Sequence, residues 1–399
     1  MATTGLPSRR PRWGHRTSLF QFRQPAFYLF ALLIVLTGWF TVIQQSVFRQ
    51  VAPEGWVLSW LLLLLYALPV FLVVYFLDLY EREPISLVIG AFLWGALAAT
   101  TLAVLANIGW GAVIAQSLDP EVAARWVPAL TAPWTEEILK AAGVVLIYLI
   151  ARSEVDDIMD GFVYGAMVGL GFAVVENVFY FIVVFGGEPE GVLAGFFFRV
   201  IASGLYGHVL YTGLAGIGIA YFTTRRGEAS FGRRLGVAAG LFGLAMLAHF
   251  LWNSPLVDFF PEPPVEGVEF VQVLFATAVK GVPLLAFVVV LIGLARRREH
   301  RWLQAALAAE VGEDGIREEE MAVLDSPRER RRARKDIRRR VGPEGADLLK
   351  RLHRQQINLA MVATRVDGDH PDLMRQRAHC KALRDALQAM PHSRREASR

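Results

Sequence analysis

The chain has 399 residues, of which 54% are hydrophobic, with a net charge of +4 and one cysteine, Cys380. A mean hydropathy of +0.39 argues against a soluble globular enzyme and for a multi-span membrane protein. The single cysteine excludes an intramolecular disulfide and any cysteine-based zinc site.

A basic segment over 1–25 comes first. The apolar run that follows, from near Phe27, is too long for the h-region of a cleavable signal peptide. Stretches of about 20 mostly apolar residues predict membrane-crossing helices. Eight are expected, over 26–48, 56–79, 85–116, 126–151, 159–186, 191–222, 234–255 and 268–295. Short connections are those of a helical bundle. The predicted fold is all-α: a polytopic membrane helix bundle of about eight transmembrane helices over 26–298, then a charged helical tail over 299–399. Of 41 Lys and Arg, 25 fall from Arg296 onward, so each charge before that point needs a physical reason.

Loop charges set the orientation. One set of flanks holds Arg9, Arg10, Arg12, Arg16, Arg23, Arg82, Arg152, Arg225, Arg226, Arg233, Arg234 and the Arg296–Arg298 cluster; the other holds Arg49 and Arg125. By the positive-inside rule both termini are expected in the cytoplasm, in a multi-pass protein of the plasma (inner) membrane. The tail carries a basic run, Arg328–Arg340, ended by the breaker Val341-Gly342-Pro343-Glu344-Gly345. Two amphipathic segments follow, over 346–366 and 370–390. The favoured reading of the run is a solvated helix next to an anionic membrane; contact with anionic lipids or a cytosolic partner comes after it, and nucleic acid is the weaker reading.

Four spans carry groups that hydrocarbon rejects. They are Glu136, Glu137 and Lys140; Glu176 and Asn177; Arg199 and His208; and His249 and Asn253. An ionised side chain at the bilayer centre costs about 2.5–3.5 kcal/mol even on the lenient insertion scale, so such groups face a protein interior or a wet cavity. Glu137 lies 15 residues from Arg152, Glu176 16 from Asp160, His208 17 from Arg225 and His249 15 from Arg234. At a helical rise of about 1.5 Å per residue, all four sit about 22–26 Å from the cytoplasmic edge, in the outer half of the bilayer. Within a helix, Lys140 is i,i+4 to Glu136 and i,i+3 to Glu137, so it can pair with either. Asn253 shares a face with His249 and is placed to orient the imidazole or to donate to an oxyanion. Arg199 and Lys280 are read as structural, and Asp160 as a helix cap.

Two chemistries suit this set. Zinc or another divalent metal can be held by His208, His249 and Glu176 with a position left for water. Alternatively, a glutamate activates water without a metal while histidine and asparagine stabilise the oxyanion. Either hydrolyses peptide bonds inside a membrane. Glu137 is favoured over Glu136 as the base because it shares a level and a face with Lys140. No small organic cofactor is implied. Other intramembrane hydrolase signatures are missing: there is no His-Glu-x-x-His, no Gly-x-Ser-Gly and no Gly-x-Gly-Asp.

These motifs resemble those of the PrsW family of intramembrane proteases, related to the type II CAAX prenyl endopeptidases (the Abi family). The pattern is Glu-Glu-x-x-Lys at 136–140, Asp160-Gly161-Phe162-Val163-Tyr164-Gly165, and Gly-Leu-Gly-Phe-Ala-x-x-Glu-Asn over 169–177. It continues with His208 before Thr212-Gly213, and with His-x-x-x-Asn at 249–253. Asp78-x-Tyr80-Glu81-x-Glu83-Pro84 also fits. The resemblance covers about residues 60–255 and implies a membrane-embedded peptidase, usually classed as a metallopeptidase. It further implies a single-span membrane protein substrate, such as an anti-sigma factor, cut on the extracytoplasmic side. The competing readings are a proton- or ion-coupled transporter, for which no internal repeat is found, and a non-catalytic scaffold, which leaves the polar groups unexplained.

Overall fold

The computed structural model describes residues 17–77, 82–202, 207–257, 269–312, 315–363 and 370–391. Asp78, Tyr80 and Glu81 lie outside them. The described residues are all-α apart from one isolated β-bridge between Val311 and Ile316. The chain divides into two units, one over Arg16–Gly293 and the other from Leu294 onward.

In the first unit, α1 (Pro25–Val51) and α2 (Pro53–Tyr75) are apolar on almost every side, as lipid-facing helices are. Helix α3 (Ile85–Ala115) contains a π turn at Trp94–Ala99. Then come α4 (Pro120–Ile150) and α5 (Ile158–Val184). Helix α6 (Pro189–Phe196) continues as a π turn over Phe197–Ile201, followed by α7 (His208–Thr224) and α8 (Phe231–Asn253). Helix α9 (Glu269–Ala309) runs from the first unit into the second.

Among the described residues, six segments are long and apolar enough to cross a membrane: Pro25–Val51, Pro53–Tyr75, Ile85–Ala115, Ile158–Val184, Phe231–Asn253 and Leu274–Ala309. Helix α4 has the length, but Glu136, Glu137 and Lys140 interrupt its apolar character. The continuous span expected over 191–222 is instead two helical pieces, one ending at Ile201 and the other beginning at His208.

Helix α5 is the centre of this unit, with nearly every residue from Met159 to Val175 buried. It begins at a capping box in which Asp157 is the N-cap and Asp160 reaches back to the cap backbone. Asp157 also accepts from Arg225 at 3.1 Å, which ties the start of α5 to the end of α7. The two helices pack backbone to backbone. A Cβ on Gly169 would lie 2.2 Å from the His208 carbonyl oxygen, and one on Gly165 2.2 Å from that of Thr212. Glycine here lets α7 approach closely enough to present His208 to the side chains of α5.

Helix α4 is fixed in rotation by Trp94 on the π turn of α3, whose indole Nε1 donates to the Leu139 carbonyl at 2.9 Å. The indole lies over Gly143, where a Cβ would be 2.1 Å from the ring. Tyr164 on α5 donates to the buried carboxylate of Glu83.

The second unit holds the end of α9 with α10 (Glu318–Asp325), α11 (Pro327–Arg340), α12 (Pro343–Ala363) and α13 (Pro371–Gln388). Gly342, at φ +99°, makes the turn between α11 and α12. Leu324, Leu352, Leu359, Leu373 and Cys380 form its apolar interior. Beside them, Arg384 donates to Glu320 at 2.8 Å and to the Gly315 carbonyl at 2.6 Å.

Candidate active site

The charged triplet of α4 is fully inside the protein. Glu136, Glu137 and Lys140 have relative exposures of 3%, 0% and 0%. Lys140 Nζ lies 2.6 Å from Glu137 Oε1 and 3.5 Å from Glu136 Oε2, so it pairs chiefly with the residue one turn back. Its ammonium also sits 4.2 Å from the centre of the Phe172 ring, a cation–π contact. One lysine does not neutralise two carboxylates, and the second compensation for Glu137 comes from α8. His249 Nδ1 is 2.8 Å from Glu137 Oε1. A carboxylate only accepts, so Nδ1 carries the proton and Nε2 is the end left for chemistry. His249 Nε2 lies 3.8 Å from Glu136 Oε2, too far for a direct hydrogen bond.

Glu136 is held differently. Its Oε1 accepts from Asn107 Nδ2 of α3 at 3.2 Å, and Asn107 Oδ1 in turn accepts from the Thr135 hydroxyl. Glu136 Oε2 is buried and accepts no hydrogen bond among the described residues. A buried oxygen of this kind is costly unless something else visits it.

A second group stands alongside. His208 Nδ1 is 2.9 Å from Lys140 Nζ, and its Nε2 is 3.0 Å from Glu176 Oε2. An ammonium only donates, so Nδ1 accepts and Nε2–H donates to Glu176. Arg199, on the π turn after α6, reaches the same carboxylate at 2.8 Å and donates to Asn177 Oδ1 at 2.7 Å. Its guanidinium stacks 3.5 Å from the Tyr180 ring centre. The two histidine rings are 5.3 Å apart, and Tyr211 stacks on His249 at 5.2 Å.

These side chains border a cavity of about 360 Å³ lined by Glu136, Glu176, Arg199, His208, His249 and Asn253 among others. Glu137 and Lys140 lie behind its wall. The structure therefore brings together Glu136, Glu137, Lys140, Glu176, His208 and His249, and places Asn253 on the cavity wall. The His249 Nδ1 that Asn253 was expected to orient is held by Glu137. Sequence reasoning missed Asn107 and Tyr211, and its structural reading of Arg199 did not name Glu176 as the partner.

The candidate metal trio is Glu136, His208 and His249, whose ligand atoms all lie within 4.8 Å of one another. Glu176, expected as a ligand, is already engaged by Arg199 and His208. Counting lone pairs, Glu136 Oε2 and His249 Nε2 are free to donate, but both ring nitrogens of His208 are taken. The Lys140 ammonium also lies 2.9 Å from His208 Nδ1 and 3.5 Å from Glu136 Oε2, beside two of the three candidate ligands. As arranged, the residues do not fit a three-ligand zinc site.

A family model described as "PrsW family intramembrane metalloprotease" matches residues 83–294, a range that contains every residue of the cavity's polar cluster. "Protease PrsW" of Geobacillus kaustophilus (strain HTA426) is 35% identical over 106 residues, 27% of this chain and 44% of that protein. "Protease PrsW" of Bacillus subtilis (strain 168) is 30% identical over 114 residues, 27% of this chain and 46% of that protein. The chain thus spans less than half the length of these relatives. No solved structure matches.

Proposed function

As the chain belongs to the PrsW family of intramembrane metalloproteases, we propose that it is a membrane-embedded endopeptidase in which Glu136 activates water. The observation that carries this reading is Glu136 Oε2, which accepts no hydrogen bond among the described residues and lies 3.8 Å from His249 Nε2 at the cavity. One water can hydrogen-bond to both atoms at that separation.

The carboxylates of Glu136, Glu137 and Glu176 face the side chains of Lys140 and Arg199. In this mechanism His249 acts with a proton on Nε2 as well as on Nδ1, between Glu137 and the cavity. Glu136 then takes the proton of the attacking water as its oxygen bonds to the scissile carbonyl carbon. The carbonyl electrons move onto the oxygen, where His249 Nε2–H and the Asn253 amide donate to it. Glu136 returns the proton to the amide nitrogen as the C–N bond breaks. A donor to a developing oxyanion is worth about 10²–10³ in rate.

Glu137 and Asn107 act through their neighbours: Glu137 orients and charges His249, while Asn107 holds the other oxygen of Glu136. Glu176, Arg199 and His208 form a salt-bridged wall, backed by Lys140, that keeps the two pieces ending at Ile201 and beginning at His208 against α4 and α5. In this reading the base is Glu136 and not Glu137, because only Glu136 of the two lines the cavity. We infer a single-span membrane protein as substrate, of the anti-sigma-factor type, cut near the extracytoplasmic face. Both chain termini are then cytoplasmic.

The test is cleavage of a single-span anti-sigma-type reporter by the purified protein in liposomes, alongside Glu136→Gln and His249→Ala. Loss of cleavage in both variants, with unchanged thermal unfolding in Glu136→Gln, supports the assignment. Undiminished cleavage by Glu136→Gln sinks it.

A further inference from the structure

Helix α11, Pro327–Arg340, plays no part in the chemistry above, and none of its residues is buried. Arg328, Arg331, Arg332, Lys335, Arg338 and Arg339 are all exposed. At about 100° per residue these six fall within an arc of about 120° on one side of the helix. Its two acidic residues, Glu329 and Asp336, fall outside that arc, with Asp336 at the edge 3.9 Å from Arg339. The half-buried Arg330, Ala333, Arg334 and Ile337 make up the other side. Helix α11 therefore presents a cationic face with no apolar residue in it. Such a face suits a flat array of phosphates, not insertion into hydrocarbon.

The second unit also places this helix near the end of a membrane span. Asp325, two residues before α11, accepts from Gln304 of α9 at 2.7 Å and lies 3.3 Å from His300. The apolar run of α9 ends at Ala295, before Arg296-Arg297-Arg298. His300 and Gln304 are thus about 6 and 12 Å further along the helix than Arg296. The start of α11 is held about one Debye length from the level at which α9 leaves the apolar layer.

We propose that the Arg328–Arg339 face of α11 docks on the phosphate headgroups of anionic lipids in the membrane that α9 crosses. Contact is electrostatic and salt-dependent, and it is independent of peptidase activity. A nucleic acid would meet the same charge only by diffusion, whereas the bilayer is tethered to the chain a few residues away.

The experiment is hydrogen exchange over residues 327–340 of the full chain, in phosphatidylglycerol-containing and in purely phosphatidylcholine nanodiscs. Exchange is expected to slow about fivefold or more in the anionic discs, and the protection to vanish at about 1 M salt. The variant Arg331→Glu/Arg332→Glu/Lys335→Glu should lose the lipid effect, while Arg331→Lys/Arg332→Lys keeps it. Unchanged exchange over α12 and α13 reports that the unit stays folded. Should the charge reversal disturb them, Arg331→Gln/Arg332→Gln/Lys335→Gln takes its place. Equal exchange in the two lipids overturns the proposal, as does protection that survives high salt. Stronger protection by duplex DNA in neutral discs than by anionic lipid would assign the face to nucleic acid instead.

Discussion

Glu137 and His249 are 112 residues apart in the chain, yet Oε1 and Nδ1 meet at 2.8 Å with both side chains almost wholly buried. The contact fixes which imidazole nitrogen faces the cavity. The two adjacent glutamates of α4 differ in place, one behind the cavity wall and one lining it.

Substituting each glutamate should therefore give different signatures. Glu136→Gln is expected to abolish reporter cleavage, by about 10³-fold or more, with little change in thermal unfolding. Glu137→Gln leaves Lys140 and His249 short of a buried counter-charge and is expected to cost about 3–5 kcal/mol of stability as well as activity. Parallel kinetics and thermal unfolding of both variants check this; equal destabilisation would merge the two roles.

Asn107→Ala should lower kcat about 10–100-fold while leaving KM and folding nearly unchanged, because it frees Glu136 Oε1 to rotate without touching substrate. Asn107→Asp, with a like charge beside Glu136, should be worse. A rise in KM at constant kcat would instead make Asn107 a substrate contact.

The lone-pair count at His208 predicts that cleavage survives prolonged treatment with a chelator and that the purified protein holds well under one zinc per chain. Elemental analysis and chelator-treated activity measure both. Stoichiometric metal, with activity lost on removal and restored by zinc, would show that Lys140 leaves His208 when a metal binds.

Gly169→Ala puts a methyl group 2.2 Å from the His208 carbonyl oxygen, forcing α5 and α7 apart. Overpacking of this kind costs about 1–3 kcal/mol. Thermal unfolding should report that loss, and cleavage should fall with it because His208 is carried away from Glu176.

In the second unit, burial and then the charges of Arg330 and Arg334 push the His353 imidazole down from 6.5 to about 4. Between those values the unfolded chain binds the proton and the folded unit does not. Its contribution to stability is thus present above pH 6.5 and is lost as the pH falls toward 4. The effect is at most about 3 kcal/mol. Unfolding of the tail helices in the full chain, followed by hydrogen exchange from neutral to acid pH, should show this slope, and His353→Gln should flatten it.

The sequence carried part of the site because charge in an apolar run is conspicuous. The i,i+3 and i,i+4 spacings let Lys140 pair with either glutamate, and it lies nearer Glu137; flanking charges (Asp160, Arg225 and Arg234) gave a depth scale for Glu176, His208 and His249. Asn107 raised no such signal, since a neutral amide in Ala103-Val104-Leu105-Ala106-Asn107 carries no charge to flag it. Arg199 was read as structural without a named partner, for a geometric reason. On an unbroken helix, nine residues hold it about 13 Å from His208. The break after Ile201 lets both reach Glu176. In the tail the Gly342-Pro343 breaker was legible, whereas the pairing of Arg384 with Glu320 joins helices whose order in space no local pattern encodes.

The indole of Trp94 over Gly143 also limits how this chain can vary over generations. Any side chain larger than hydrogen at 143 collides with the ring, and any smaller residue at 94 takes the donor from the Leu139 carbonyl. Single substitutions at either place should therefore be selected against, although neither residue lines the cavity. Lineages that depart from this pair must cross by a double change, so in an alignment the two positions should vary together or stay constant together, tracking each other more closely than either tracks the glutamates it serves.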